Sequence, residues 1–186
     1  MNRLLALAIL FAATYLLAAC QIQPVQAIPE AAAEMSDAEK EAANLDAVQR
    51  FYEEFAAGST TVILDVHAPT ITMHYAGSAE DVPALALSDD LNAIKAGIPS
   101  LHAEVHDMWA AGDYVFTELT WAGTQTGDLF GIPATGNPIV HNGIVVRRLE
   151  DGKIVESWEI WDDLTLMAEF GLTPSWDEIV AAQQEQ

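Results

Sequence analysis

The sequence predicts an α+β domain in which helices come first and a run of long strands follows. Apolar residues recur at helical spacing from Leu45 to Phe55, whereas alternating patterns typical of half-buried strands dominate from Leu101 to Trp161. Short turns separate most of these strands, which indicates antiparallel pairing. We therefore expect a curved sheet that wraps around the helices.

The first 35 residues are expected to lie outside this domain. Residues 1–3 carry a positive charge, and the uncharged apolar run over 4–17 is too short to span a membrane, which is typical of a signal peptide. The run ends in Leu17-Ala-Ala-Cys20, which resembles a bacterial lipobox whose cysteine is lipidated. The alternative is an ordinary secretory signal cleaved after Ala27.

This interpretation divides the chain into three parts. We expect a signal peptide over 1–19, a tether over 20–35 that is rich in Gln, Pro and Ala, and the folded domain over 36–186. The protein would then be extracytoplasmic and anchored to the membrane through a lipid on Cys20, or secreted if the alternative cleavage applies.

The domain begins with a well-defined helix signal. Ser36-Asp-Ala-Glu39 has the spacing of a capping box, and Gly58 suits the end of the helix. The other expected elements are, in chain order, a short helix Thr61–His67, a strand Thr70–Tyr75, a helix Ser88–Lys95, strands Leu101–Ala110, Tyr114–Gly123, Pro138–Leu149 and Lys153–Trp161, and helices Leu164–Phe170 and Trp176–Gln183.

Composition excludes several classes of function. The chain has 28 acidic residues against 7 Lys and Arg, a formal charge of -21, which repels nucleic acids and anionic lipid headgroups. Its one cysteine allows neither a disulfide framework nor a cysteine-based metal site. His102 and His106 are four residues apart, which suits a metal on a helix but not on the predicted strand, so no metal site is expected.

Several short motifs, taken in order, resemble the SnoaL-like polyketide cyclase family, also called ester cyclases, of the nuclear-transport-factor-2-like superfamily. The resemblance covers roughly residues 45–172. It is carried by Gly112-Asp113, Gly123-Thr-Gln-Thr-Gly127, Gly131-Ile-Pro-Ala-Thr-Gly136, Gly143-Ile144, Asp151-Gly-Lys-Ile-Val-Glu156, Trp158, Trp161-Asp162, Leu166-Met167 and Phe170-Gly171.

The resemblance implies a conical sheet around the N-terminal helices, chemistry without a cofactor, and a homodimer packed through the sheet. In characterised cyclases of this family, an aspartate in the pocket acts as acid and base for an aldol ring closure, a role that falls on Asp162. The family often has histidine where this chain has Gln125, and glutamine cannot shuttle a proton near neutral pH.

Strand parity puts Glu156, Trp158, Ile160 and Asp162 on one face, which would line the pocket. From the residue types alone, Asp162 is equally well explained as the N-cap of the following helix. The resemblance favours the pocket for Asp162 and the cap position for Asp163.

Other candidate residues would bind a substrate. Trp158 could stack on a hydrophobic ring, and His74 and Gln125 could orient a carbonyl oxygen. His74 could instead be satisfied by a backbone carbonyl. His141 could face the pocket or the dimer surface. Glu118 could face the pocket, although pairing with an arginine or exposure to solvent explains it better.

Three functions are compatible with these residues. The first is a cyclase or isomerase acting on a hydrophobic carbonyl substrate in a conical pocket. The second is a non-catalytic protein that binds a hydrophobic small molecule in the same pocket. The third is a hydrolase or steroid-isomerase-like enzyme of the same superfamily, by analogy of fold only.

Overall fold

The computed structural model of the protein describes residues 35–75 and 77–184. The predicted signal peptide, Cys20 and all of the predicted tether except Met35 lie outside the described residues. Among the described residues, no helix is both long and apolar enough to cross a membrane.

The described chain contains five helices and six strands. In chain order they are α1 Asp37–Ala56, α2 Val62–Val66, β1 His67–Tyr75, β2 Ser78–Pro83, α3 Ala84–Gly97, β3 His102–Ala111, β4 Tyr114–Thr124, β5 Pro138–Glu150, β6 Lys153–Trp161, α4 Asp163–Glu169 and α5 Trp176–Gln184.

The six strands form one sheet in the order β2-β1-β6-β5-β4-β3. Four of the neighbouring pairs are antiparallel, and β1 pairs with β6 in parallel. Register shifts interrupt the β1–β6, β3–β4 and β5–β6 pairings, and such irregularities increase the bend and twist of a sheet. The predicted α+β class with a curved sheet around the early helices is confirmed.

The predicted capping box is present at the start of α1. The Ser36 hydroxyl accepts a hydrogen bond from the Glu39 amide, and the Glu39 carboxylate accepts one from the Ser36 amide. The buried side of α1, including Val48, Phe51 and Phe55, packs against the inner face of the sheet and fixes the position of the helix over it. This apolar contact forms the main core of the domain.

Two elements differ from the sequence prediction. Residues 78–83 form strand β2, which pairs with β1 at the sheet edge, although the sequence there lacks a clear alternating pattern. His67, predicted at the end of a helix, begins β1 and pairs with Ile154. Tertiary pairing overrides the weak local preference in both places.

Candidate functional site

A cavity of about 470 Å³ lies between the inner face of the sheet and the helices. This volume falls in the range of small-molecule sites. The apolar part of its lining comes from α1, α2, α3, α4, the inner faces of the strands and the loop between β4 and β5. These side chains include Phe51, Phe55, Ile63, Ile71, Leu91, Trp121, Leu129, Phe130, Ile139 and Phe170.

One carboxylate in the lining contacts two groups that can carry a proton. The Tyr75 hydroxyl donates to Asp163 Oδ2 at 2.6 Å, and His141 Nε2 lies 3.2 Å from Asp163 Oδ1. Burial, followed by the hydrogen bond to Asp163, raises the pKa of Tyr75 to about 12. Tyr75 is therefore a protonated donor at neutral pH.

Tyr75, His141 and Asp163, which we call the acid triad, come from three separate parts of the fold. Tyr75 ends β1, His141 is near the start of β5, and Asp163 is the first residue of α4. The pairing of β1 with β6 brings Tyr75 opposite Glu159, four residues before Asp163. The triad thus depends on the parallel pairing.

A tryptophan flanks the acid triad. Trp161 stacks on His141 with ring centroids 4.9 Å apart, and its Nε1 donates to Glu159 Oε2 at 3.0 Å. The indole lies against Gly143, its cross-strand partner, where a Cβ atom would come within 2.0 Å of the ring. A glycine is therefore needed at position 143 for this ring position.

Two different groups line the cavity further along the strands. Arg147 is buried with 5% of its surface exposed, and its Nη1 donates to the Tyr52 hydroxyl. Burial, and then the nearby charge of Arg147, lowers the pKa of His67 to about 3, so His67 is neutral at neutral pH. His67 Nδ1 lies 3.1 Å from the Ile63 carbonyl oxygen, which requires the proton on Nδ1.

The predicted positions of Asp162 and Asp163 are reversed in the structure. Asp162 is the exposed N-cap of α4, where its carboxylate accepts a hydrogen bond from the Thr165 amide at 3.2 Å. Hydrogen bonds from Thr165 lower the pKa of Asp162. Asp163, the predicted cap, lines the cavity instead.

The reversal follows from strand parity. The face of β6 that lines the cavity carries Ser157, Glu159 and Trp161, so the face with Glu156, Trp158 and Ile160 is the outer one. The alternation was correctly predicted, but the wrong face was assigned to the pocket. Such an error moves every side chain of a strand to the opposite surface.

His74 and Trp158 were predicted to contact a substrate in the central pocket, but both lie on the outer face. Their rings stack with centroids 4.7 Å apart, and His74 Nε2 lies 2.8 Å from Glu156 Oε1. They line a second concavity of about 460 Å³ beside β2, which shares four lining residues with the central cavity: Tyr75, Glu159, Trp161 and Asp163.

Gln125 is fully buried within the loop that joins β4 to β5, and it is not among the cavity-lining residues. Its Nε2 donates to carbonyl oxygens of Gly127, Ile132 and Pro133 at 3.2–3.3 Å, and its Oε1 accepts from Thr135 Oγ1 at 2.8 Å. The residue organises the loop rather than a substrate oxygen.

The loop held by Gln125 also depends on close packing. The amides of Thr126 and Gly127 donate to the Gly97 carbonyl at the end of α3, and a Cβ atom on Gly127 would come within 2.5 Å of the Ala96 carbonyl oxygen. This contact brings Leu129 and Phe130 to the cavity lining. The glycines of this motif therefore shape the cavity wall.

Two further candidates have clear positions. Glu118 is exposed on the outer face and does not line the cavity, which agrees with the expected exposure to solvent. Arg148 pairs with Glu150 and Glu156 rather than with Glu118. His141 lies in the cavity lining, one of the two positions expected for it. Within the described ranges, no three His, Cys, Asp or Glu side chains group as a metal site would require.

The sequence reasoning missed the roles of Tyr75, Asp163 and Arg147 in the cavity. The available signal was Gly143, a glycine inside a long strand, which often marks close approach of a large neighbouring group. Had Gly143 been paired with Trp161, the inner face of β6 would have been identified. Tyr75 carried no comparable signal because its contact partner is 88 residues away.

Comparison with known proteins places the chain in a family. The chain is similar to a candidate SnoaL-like polyketide cyclase from Jannaschia sp. CCS1, with 22% identity, a TM-score of 0.64, and coverage of 77% of this chain and 100% of that one. It is also similar to IdmH, a candidate polyketide cyclase from Streptomyces antibioticus, with 28% identity, a TM-score of 0.58, and coverage of 69% and 98%.

A third solved structure carries a different name. AclR, a candidate hydroxylase from Streptomyces galilaeus, shares 23% identity at a TM-score of 0.64, with coverage of 81% of this chain and 92% of that one. No curated protein matches the chain. The family model described as SnoaL-like polyketide cyclase matches residues 46–170, more than half of the chain. The chain therefore belongs to the SnoaL-like polyketide cyclase family.

Proposed function

We propose that the protein is an enzyme that removes a proton from the carbon next to a carbonyl group in an apolar substrate, with Asp163 as the base. The observation that carries the proposal is the acid triad, in which one cavity carboxylate contacts both a tyrosine and a histidine. General acid–base catalysis needs a positioned carboxylate with partners that can donate and accept protons.

The proton and electrons balance in this step. The C–H proton passes to Asp163, the C–H electron pair forms a carbon–carbon double bond, and the carbonyl π electrons move to its oxygen. Tyr75 keeps its proton because its pKa is raised to about 12, and on substrate binding its hydroxyl would turn from Asp163 to donate its one hydrogen bond to that oxygen. The enolate then attacks a second carbonyl carbon of the same molecule, and the new alkoxide takes back the proton from Asp163.

His141 supplies an imidazole beside the proposed base. The family histidine is replaced by Gln125, which does not line the cavity in this chain. His141 Nε2, 3.2 Å from Asp163, is placed to orient that carboxylate and to exchange protons with it. We propose that His141, on β5, takes over the proton transfer that Gln125 cannot perform.

Asp90 and Glu159 are the other carboxylates in the cavity lining. Asp90 is exposed on α3, and the partners of Glu159 argue against it as the base. Its oxygens accept hydrogen bonds from Ser157 Oγ at 3.2 Å and Trp161 Nε1 at 3.0 Å. Neither a serine hydroxyl nor an indole exchanges protons readily near neutral pH. We therefore assign Glu159 to positioning Trp161.

The test is α-proton exchange of 2-tetralone, an apolar ketone, followed by NMR in deuterium oxide. We expect the parent protein to accelerate exchange over buffer, and Asp163→Asn to lower the rate by about 100-fold or more. The matched control is Asp162→Ala, which removes a helix cap at about 1 kcal/mol of stability and should retain the rate. An exchange rate equal to that of buffer with the parent protein would contradict the proposal.

A second candidate function is binding without turnover. Both oxygens of Asp163 already have partners in the protein, so the carboxylate is also satisfied without any reaction. On this view the apolar cavity stores or carries a hydrophobic molecule. Native mass spectrometry showing a co-purifying ligand, together with no exchange of 2-tetralone, would favour this function.

We also propose the partners that the sequence predicts. The outer face of the sheet exposes large apolar side chains, among them Trp109, Ile144 and Ile160 at 48%, 50% and 72%. Such a patch suits a homodimer formed through the sheet. Anchoring through a lipid on Cys20 in an extracytoplasmic location stays a proposal, tested by fractionation: Cys20→Ala should leave the membrane fraction, and its retention there would contradict the anchor.

A further inference from the structure

Arg147 is a buried cation whose charge has no carboxylate partner in the described chain. Lys40, Arg50 and Arg148 form ion pairs with nearby acids, whereas no acid among the described residues lies within 4.0 Å of the Arg147 guanidinium. Its Nη1 donates to the Tyr52 hydroxyl, and its Nε has no hydrogen-bond partner. The cation is therefore only partly satisfied.

This arrangement costs stability. A guanidinium stays charged at any relevant pH, and removing such a group from water without a counter-charge is strongly unfavourable. The ring centroids of Phe51 and Tyr52 lie 5.2 Å and 5.1 Å from the guanidinium carbon, and these cation–π contacts offset only part of that cost. The remaining deficit favours any anion that can reach the cavity.

The acid closest in the strand register is already engaged. Arg147 is opposite Ser157, so Glu159 is its diagonal neighbour on β6, at roughly 7–8 Å between backbones. Both Glu159 oxygens accept hydrogen bonds from Ser157 and Trp161. Glu159 therefore does not act as the missing partner.

The lining sets the charge of the anion. Arg147 is the one Lys or Arg among the described cavity-lining residues, and neighbouring His67 is neutral because its pKa is lowered to about 3. One cation balances one negative charge, which suits a carboxylate better than a phosphate dianion. The walls around it are apolar, so the rest of the ligand should be hydrophobic.

Arg147 and the acid triad lie at separate places along the cavity. Arg147 and His141 share the inner face of β5 and are six residues apart, about 20 Å along a strand. The carboxylate of Asp163 would repel an anion held beside the acid triad. An anionic group is thus favoured at Arg147, with the uncharged part of the ligand extending toward Asp163.

We propose that the cavity binds amphipathic monocarboxylic acids, with the carboxylate at Arg147 and the hydrophobic body directed toward the acid triad. The assignment of such an acid as the substrate, a keto acid whose carbonyl lies at Asp163, rests on the proposed function. The anion site itself can be tested without any turnover.

The experiment compares octanoate with octan-1-ol by isothermal titration calorimetry on the full chain. The two probes share a hydrocarbon body and differ in charge. We expect the parent to bind octanoate about tenfold or more tightly than octan-1-ol, a difference of about 1.4 kcal/mol that one charge-assisted hydrogen bond can supply. Arg147→Gln should remove this preference by weakening octanoate alone, and Arg147→Lys should retain part of it.

Arg148→Gln is the matched control, because Arg148 is the next residue and pairs with Glu150 and Glu156 on the outer face. It should keep the parent's preference. Equal affinity for the two probes in the parent, or an unchanged preference in a folded Arg147→Gln, would overturn the anion site. If Arg147→Gln does not fold, the test rests on the octanoate preference of the parent and of Arg147→Lys. A preference in the parent that is reduced in Arg147→Lys would support the anion site, and its absence in the parent would overturn it.

The two proposals fail separately. Asp163→Asn should keep the octanoate preference while losing exchange of 2-tetralone. An octanoate preference without exchange would support the anion site and contradict the proposed enzyme. Exchange of 2-tetralone without an octanoate preference would support the proposed enzyme and contradict the anion site.

Discussion

The two faces of the sheet use the same residue types in opposite ways. On the outer face, Arg148 pairs with Glu156, and Glu156 also contacts His74. On the inner face, Arg147, the residue next to Arg148, has no ion pair with any described acid. His141, also on the inner face, contacts the carboxylate of Asp163 at the cavity.

The difference shows what burial does to a charged group. On the outer face, His74, Arg148 and Glu156 are partners of one another. Hydrogen bonds from His74 and then Arg148 lower the pKa of Glu156. Arg147, with 5% of its surface exposed, faces the apolar cavity, where each missing partner costs more and each ligand contact gains more. Asp163, with 41% of its side chain exposed, is more open to water than Glu156 at 20%. Residue type alone therefore does not identify a functional group; the face of the strand does.

The largest expected effect on stability concerns His67 on the inner face. Its pKa is about 3 in the folded protein against 6.5 in the unfolded chain, so the unfolded chain binds more protons between these values. The free energy of unfolding should therefore fall as pH drops below 6.5, by about 2 kcal/mol between pH 6.5 and 4.5. Denaturant titrations at several pH values measure it.

An exposed histidine, His102, provides the control for this pH dependence of the free energy of unfolding. His67→Gln should flatten the pH dependence of the free energy of unfolding between pH 6.5 and 4.5. His102→Gln should leave this dependence unchanged, because His67 is still present in that variant. The lowered pKa of Glu156 acts at lower pH, because its stabilisation is lost only as pH falls from its ordinary value of 4.5 through its folded value. An unchanged slope in folded His67→Gln would contradict the assignment.

A smaller effect is expected on the exchange rate of 2-tetralone when a histidine on the inner face is compared with one on the outer face. His141→Gln removes an imidazole 3.2 Å from Asp163, and we expect the exchange rate of 2-tetralone to fall about tenfold. His74→Gln removes the outer imidazole that stacks on Trp158, and the rate should change by less than about twofold. If both variants lose activity equally, the catalytic distinction between the faces is wrong.

The smallest effect on the folded monomer should come from Ile160→Glu on the outer face. Ile160 is 72% exposed, so the substitution should change monomer stability by less than about 0.5 kcal/mol. If the sheet forms the dimer interface, light scattering should report a shift from dimer to monomer. Leu85→Glu, at a 63% exposed site on α3, should leave the mass unchanged.

The fold was predictable because its signals are local. The capping box of α1, the strand alternation of β3 to β6 and the turns between them all depend on neighbouring residues. Strand β2 was missed because Ser78–Pro83 is an edge strand with mostly exposed side chains, and its structure comes from pairing with β1.

The site was less predictable because strand alternation does not say which face is buried. On β6 both faces carry tryptophan and glutamate, at Trp158 and Glu156 on one side and Trp161 and Glu159 on the other. The packing of α1 and the pairing with β1 distinguish them, and both contacts are distant in sequence. The nearer signal is Gly143, the cross-strand partner of Trp161. Gln125 was misassigned for a related reason: an amide that binds three carbonyls of its own loop has no local signature.

The parallel pairing of β1 with β6 has a consequence for the order of folding. The hydrogen bond from Tyr75 to Asp163 joins residues 88 apart. The acid triad therefore cannot assemble until the segment that carries Asp163 has packed beside β1. Long-range strand pairing of this kind forms slowly, so the site should be among the last parts of the domain to become native.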